Sequence, residues 1–166
     1  TLMRQGLKTI LDLEPGLRVI GEAGDGERGV QLALELRPDV ILMDVQMPGM
    51  DGIEAVRQIK QVLPETIIVM LTVRGDDEML FEALKNGAQG YLLKDIQSQY
   101  MLEMLRGALR GEAALSPNLA GRVLSEFRRL SKGGASEKED DGGLTEREQQ
   151  VLLQASKGAT DKEIAA

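Results

Sequence analysis

Four apolar residues, Val40-Ile41-Leu42-Met43, run into Asp44 and then break into Val45-Gln46-Met47-Pro48-Gly49-Met50-Asp51-Gly52. The run has no polar alternation, which fits a strand buried on both faces as in parallel α/β sheets, although a short buried helix can carry the same pattern. Pro48, Gly49 and Gly52 settle it as a strand that ends in a loop. In open α/β sheets, ligands and chemistry gather at the carboxyl ends of strands. Asp44 therefore stands on the edge where a site is expected.

The flanking segments repeat the unit. Met3, Leu7, Ile10 and Leu11 have helical spacing closed by Pro15-Gly16, and Leu17 to Ala23 reads as a strand. Val30, Ala33, Leu34 and Arg37 space a helix that stops before Pro38, and Ile53, Val56, Ile59 and Lys60 space another that ends near Pro64. Thr66 to Thr72 is a β-branched strand, Asp76 caps a helix that runs to Asn86 and stops at Gly87, and Gly90 to Lys94 is a short strand. Met101, Leu105, Ala108 and Leu109 form the inner face of the next helix. Regular strand–helix alternation predicts a doubly wound parallel sheet over residues 1 to 111.

After Gly111 the pattern changes. Ser116-Pro117 starts a helix with Leu119, Val123, Phe127 and Leu130 on one face, up to Lys132. Residues 133 to 143, GGASEKEDDGG, have almost nothing apolar and read as a flexible linker, so 112 to 143 forms a linker helix and tail. Thr145 with Glu148 and Thr160 with Glu163 make two capping boxes around the Gly158-Ala159 turn, the opening of a helix-turn-helix over 144 to 166. A helix that begins at once and a chain that ends one turn into another suggest further native residues on both sides.

Composition limits the chemistry. With no cysteine and no histidine, disulfides, thiolate metal sites and imidazole acid–base catalysis are ruled out. The apolar runs are too short to cross a bilayer and no signal peptide opens the chain, so the default location is cytoplasmic, with no membrane partner. A net charge of −7 argues against a nucleic-acid surface over the whole chain but leaves room for a small basic module.

Asp44, Thr72 and Lys94 fall at successive strand ends and so converge on one rim of a parallel sheet. A carboxylate becomes a useful nucleophile toward phosphorus when a divalent cation, usually Mg2+, screens the charges. Lys94 supplies a point charge to phosphoryl oxygens and Thr72 a hydroxyl donor. Together they suggest an aspartyl-phosphate site.

At this point the sequence resembles a known family. D-V-Q-M-P-G-M-D-G at 44 to 52, M-L-T at 70 to 72 and G-A-Q-G-Y-L-L-K at 87 to 94 resemble the receiver domain of two-component response regulators. L-T-E-R-E-Q-Q-V-L at 144 to 152 and K-G-A-T-D-K-E-I-A at 157 to 165 resemble the opening of a LuxR-type helix-turn-helix, which points to the NarL/FixJ subfamily. The resemblance implies a flavodoxin-like, five-stranded receiver of order 2-1-3-4-5 whose first strand, with an acidic metal-binding pair, would precede Thr1. It implies Asp44 as phosphoacceptor, Thr72 as switch hydroxyl, Lys94 as phosphate-binding lysine, Tyr91 as switch aromatic and the Gln46 carbonyl, beside Asp44, as a Mg2+ ligand. The recognition helix would lie beyond Ala166. The implied protein is a transcriptional regulator and not an enzyme. Its partners would be a sensor histidine kinase, a second copy of itself on phosphorylation, and promoter DNA.

Two rivals share some of these letters. Gly24, Gly26 and Gly29 form G-x-G-x-x-G after a predicted strand, with Asp44 where a dinucleotide fold places its ribose acid. Asp25 and Glu27, however, put negative charge where a pyrophosphate would need the positive end of a helix, and Thr72 and Lys94 are left without roles. An aspartyl-phosphate hydrolase would carry a second carboxylate two residues after Asp44, where Gln46 has an amide that cannot shuttle a proton.

Overall fold

The computed structural model describes residues 2–73 and 75–133. Arg74, the predicted linker from 134 onward and the predicted helix-turn-helix of 144–166 lie outside the described residues. The chain divides into two units, Thr1–Ala120 and Gly121–Ala166.

The first unit alternates helix and strand as the apolar spacing predicts. Its elements are α1 (Leu2–Asp12), α2 (Gly26–Leu36), β1 (Val40–Asp44), α3 (Gly52–Val62), β2 (Ile67–Thr72), α4 (Asp77–Lys85), β3 (Gly90–Leu93), α5 (Ser98–Leu109) and β4 (Ala114–Leu115). The helix α6 (Pro117–Gly133) begins in this unit and runs into the second. The helix starts obey their caps: the side chains of Asp25, Asp51 and Asp76 accept backbone N–H groups at the first turns of α2, α3 and α4.

The four strands form one parallel sheet in the order β1-β2-β3-β4. Asp44 lies opposite Leu71, Leu71 opposite Leu92, and Thr72 opposite Leu93. Side chains alternate between the faces. One face buries Val69, Leu71 and Leu92 with Met101, Leu105 and Ala108 of α5, and Leu7, Ile10 and Leu11 of α1 pack against that cluster. The other face carries Met43, Ile68, Met70 and Tyr91, all buried; Met43 reaches Gly29 of α2, and Met70 reaches Gly52 of α3. Helices on both faces explain why the strands read as continuous apolar runs.

Leu17 to Ala23 departs from the prediction. The segment is not a strand, and Ile20 is 43% exposed. Strand structure needs a ladder partner as well as β-formers, and among the described residues none pairs with this stretch. The Ala23 carbonyl accepts instead from Arg4 Nη1 at 2.8 Å, and Val19 N–H donates to Asp12 at 3.3 Å. In the other direction, Ala114–Leu115 forms a strand that the sequence reading left out. The compact unit thus runs past Gly111 to Ala120, with Leu119 buried.

Candidate functional site

The site grows from the end of β1. Val45 N–H continues the ladder to Leu71 O at 2.9 Å, after which the chain turns. Gln46 N–H donates to Asp44 Oδ1 at 3.1 Å, fixing one carboxylate oxygen over the turn. The loop closes where Gly52 N–H donates to Val45 O at 2.9 Å, and Asp51 caps α3 by accepting from Glu54 N at 2.9 Å. Asp51 is thereby a helix cap. Gly52 has no alternative here: a methyl group on it would collide with the Asp44 carbonyl oxygen and press on Met70.

Lys94 arrives from the other side of the sheet. Its N–H donates to Thr72 O at 2.7 Å, one step past the last residue of β3. Its Nζ donates to Asp44 Oδ2 at 2.5 Å, across fifty residues of sequence. The two side chains are 20% and 33% exposed, so the pair is partly dry yet open to an incoming group. Attraction between such charges is stronger here than in bulk water.

Thr72 occupies the same rim and is buried. Its register with Leu93, two residues after the Met70–Tyr91 pair, puts it on the parity of Tyr91, while Asp44 and Lys94 share the parity of Leu71 and Leu92. The structure therefore brings Asp44 and Lys94 into direct contact and aligns Thr72 with the wholly buried Tyr91. Beside Lys94 a cavity of about 170 Å³ opens among Met3, Leu7, Ile10, Leu71 and Ile96.

Mg2+ takes oxygen donors in an octahedral shell. The Asp44 carboxylate and the Gln46 carbonyl fit it in kind. Among the described residues, however, no group of three or more His, Cys, Asp or Glu gathers around a common point, so they supply only part of such a shell.

The glycine motif has a different use from the dinucleotide one. Asp25 Oδ1 accepts from Arg28 N at 2.8 Å, so a carboxylate already occupies the helix N-terminus that a pyrophosphate would need. Gly24 and Gly29 have room for a side chain, and Gly26 does not, because it abuts Met50 of the loop after Asp44. Sequence reasoning missed this contact, since glycines at that spacing carry no sign of what they touch.

Comparison with known proteins bears on the family and the fold. Residues 1–106 match the response regulator receiver domain family. The chain is 42% identical over 163 residues to the transcriptional regulatory protein LiaR of Bacillus subtilis, covering 98% of this chain and 75% of that protein. It is 38% identical over 164 residues to the nitrate/nitrite response regulator NarL of Escherichia coli K12, covering 99% and 74%. Among solved structures it resembles a LuxR-family two-component response regulator from Aurantimonas sp. SI85-9A1, with a TM-score of 0.71 and 30% identity over 76% of this chain and 90% of that one. The receiver domain of a NarL response regulator from Mycobacterium tuberculosis gives a TM-score of 0.64 at 31% identity, over 67% and 90%.

Proposed function

The chain belongs to the NarL/LuxR-type response regulators, transcription factors of two-component systems that are activated by phosphorylation, and on that premise we propose that Asp44 is its phosphoacceptor. The observation that carries this reading is the Lys94–Asp44 contact at the carboxyl rim of the sheet. An Asp44 oxygen attacks phosphorus, and the bond from phosphorus to the donor breaks. With a sensor histidine kinase as donor, the leaving group is an imidazole nitrogen; with a small acyl phosphate, it is a carboxylate.

Lys94 holds Asp44 before transfer and follows the phosphoryl oxygens after it, when the single negative charge of the carboxylate has become the roughly two of an acyl phosphate. The Thr72 hydroxyl turns toward those oxygens. Tyr91, aligned with it on the same face, moves into the space that Thr72 leaves. The Asp44 carboxylate and the Gln46 carbonyl are the donors this chain offers to Mg2+, which when bound screens the charges of acceptor and phosphoryl group. The shift required between two states is a few kcal/mol.

The output is assigned to the helix-turn-helix that the sequence predicts for residues 144 to 166, with homodimerisation pairing two such modules on DNA. No helix among the described residues is long and apolar enough to cross a membrane. As a DNA-binding regulator the protein is assigned to the cytoplasm.

To test the assignment, the protein is incubated with acetyl phosphate and Mg2+ and weighed intact. Wild type gains one phosphoryl mass and Asp44→Ala gains none. An Asp44→Ala variant that still gains it overturns the assignment.

A further inference from the structure

Gly26 is absorbed neither by the helix cap beside it nor by the phosphoacceptor site. A methyl group there would collide with the Met50 carbonyl oxygen and lie 2.9 Å from Met50 Cβ and 3.0 Å from its Cγ. Met50 belongs to the loop of residues 46 to 51 that follows Asp44 and is closed by the Gly52–Val45 hydrogen bond. That loop touches the start of α2 a second time: the Glu27 carboxylate lies over Gly49, whose φ of 72° gives the loop its tight corner. The first turn of α2 is itself fixed by the Asp25 cap, so it forms a rigid seat. Gly24 and Gly29, the other members of the motif, meet only the end of the Arg4 side chain at 3.5 Å and ordinary contacts at 3.8 and 3.9 Å.

We infer that Gly26 is a positioning residue for phosphoryl transfer: the bare backbone at the start of α2 seats the loop after Asp44 and so sets where the Asp44 carboxylate and the Gln46 carbonyl stand. This rests on the reading of Asp44 as phosphoacceptor. A misplacement of about 1 Å in a reacting group slows a reaction by up to roughly a hundredfold.

The experiment compares the rate of phosphoryl gain from saturating acetyl phosphate with Mg2+ in wild type, Gly26→Ala, Gly24→Ala and Gly29→Ala, all full-length. Measurements are made at a temperature where circular dichroism finds each variant folded. Gly26→Ala is expected to slow by at least about tenfold, and the other two to stay within about twofold. Met50→Gly, which removes the Cβ and Cγ contacts but keeps the carbonyl oxygen and frees the loop backbone to shift, is expected to restore part of the rate in the Gly26→Ala background. Should Gly26→Ala fail to fold, Met50→Ile crowds the same contact from the loop side and is expected to slow transfer in its place. Equal rates in all three glycine variants, or slowing without rescue, overturn the inference. A wild type that gains no phosphoryl group overturns the reading beneath it instead.

Discussion

The two ends of β2 carry the same residue types in different company. At the amino end Thr66, 7% exposed, donates its hydroxyl to Pro38 O at 3.0 Å, and Lys60 Nζ donates to Pro64 O at 2.9 Å and Thr66 O at 2.6 Å. At the carboxyl end Thr72 is equally buried, and Lys94 Nζ faces the carboxylate of Asp44. Burial pushes the Lys60 amine below its ordinary range, with Glu65 opposing the shift. Its partners are neutral carbonyls whose charge never changes. Lys94 has a partner that can be chemically modified. A threonine and a lysine thus serve as pins at one rim and as parts of a switch at the other, and the acceptor decides which.

Variants at the two ends separate these roles. Gly52→Ala should act most strongly, since its methyl group meets backbone at Asp44; we expect a loss of roughly 3 kcal/mol in urea unfolding together with lost phosphorylation. Lys60→Met leaves two carbonyls without their donor and should lower stability by about 2 kcal/mol while the phosphorylation rate of Asp44 stays unchanged. Lys94→Met should invert that result. Its pair is partly solvated and worth at most about 1 kcal/mol, but phosphorylation should no longer change the oligomeric state in sedimentation. If both lysine variants behave alike, the contrast between the rims is wrong.

Thr66→Val removes one hydrogen bond and should lower the melting temperature by about 4 °C, which corresponds to about 1 kcal/mol. The smallest effect lies on α3, away from both rims. Hydrogen bonds from Arg57, then Gln58, hold the Glu54 carboxyl at about 2 instead of 4.5. A depressed carboxylate stabilises the fold above its unfolded value, so this contribution is complete above pH 4.5 and fades as pH falls through about 2. Titration of the Glu54 carboxyl by NMR checks it, and because the group is exposed the effect should shrink in high salt.

Much of this was legible in the residues. Apolar runs between Pro and Gly breaks located β1, β2 and β3, and Asp76 marked the cap of α4, whereas Asp25 stood out only as a charge until the structure showed it capping α2. Asp44 and Lys94 were legible as partners because parallel strands deliver their last residues to one edge. Leu17 to Ala23 misled because β-propensity describes a residue's fit to a sheet and says nothing of whether a neighbouring strand is there to pair with it. Ala114–Leu115 is too short to leave a periodic trace, and the pairing of Thr72 with Tyr91 on one face appeared only once the register was known. The seat between Gly26 and Met50 is a matter of distance between two loops, which no spacing in the sequence encodes.

The hydrogen bond from Lys94 N–H to Thr72 O has a further consequence. It anchors the main chain of the threonine, so the hydroxyl can relocate only by turning about χ1, where a β-branched side chain has a few separated wells and no continuum between them. A group held in this way answers in jumps. Any graded response of this regulator must then come from the fraction of molecules that have jumped, and not from how far each one has moved.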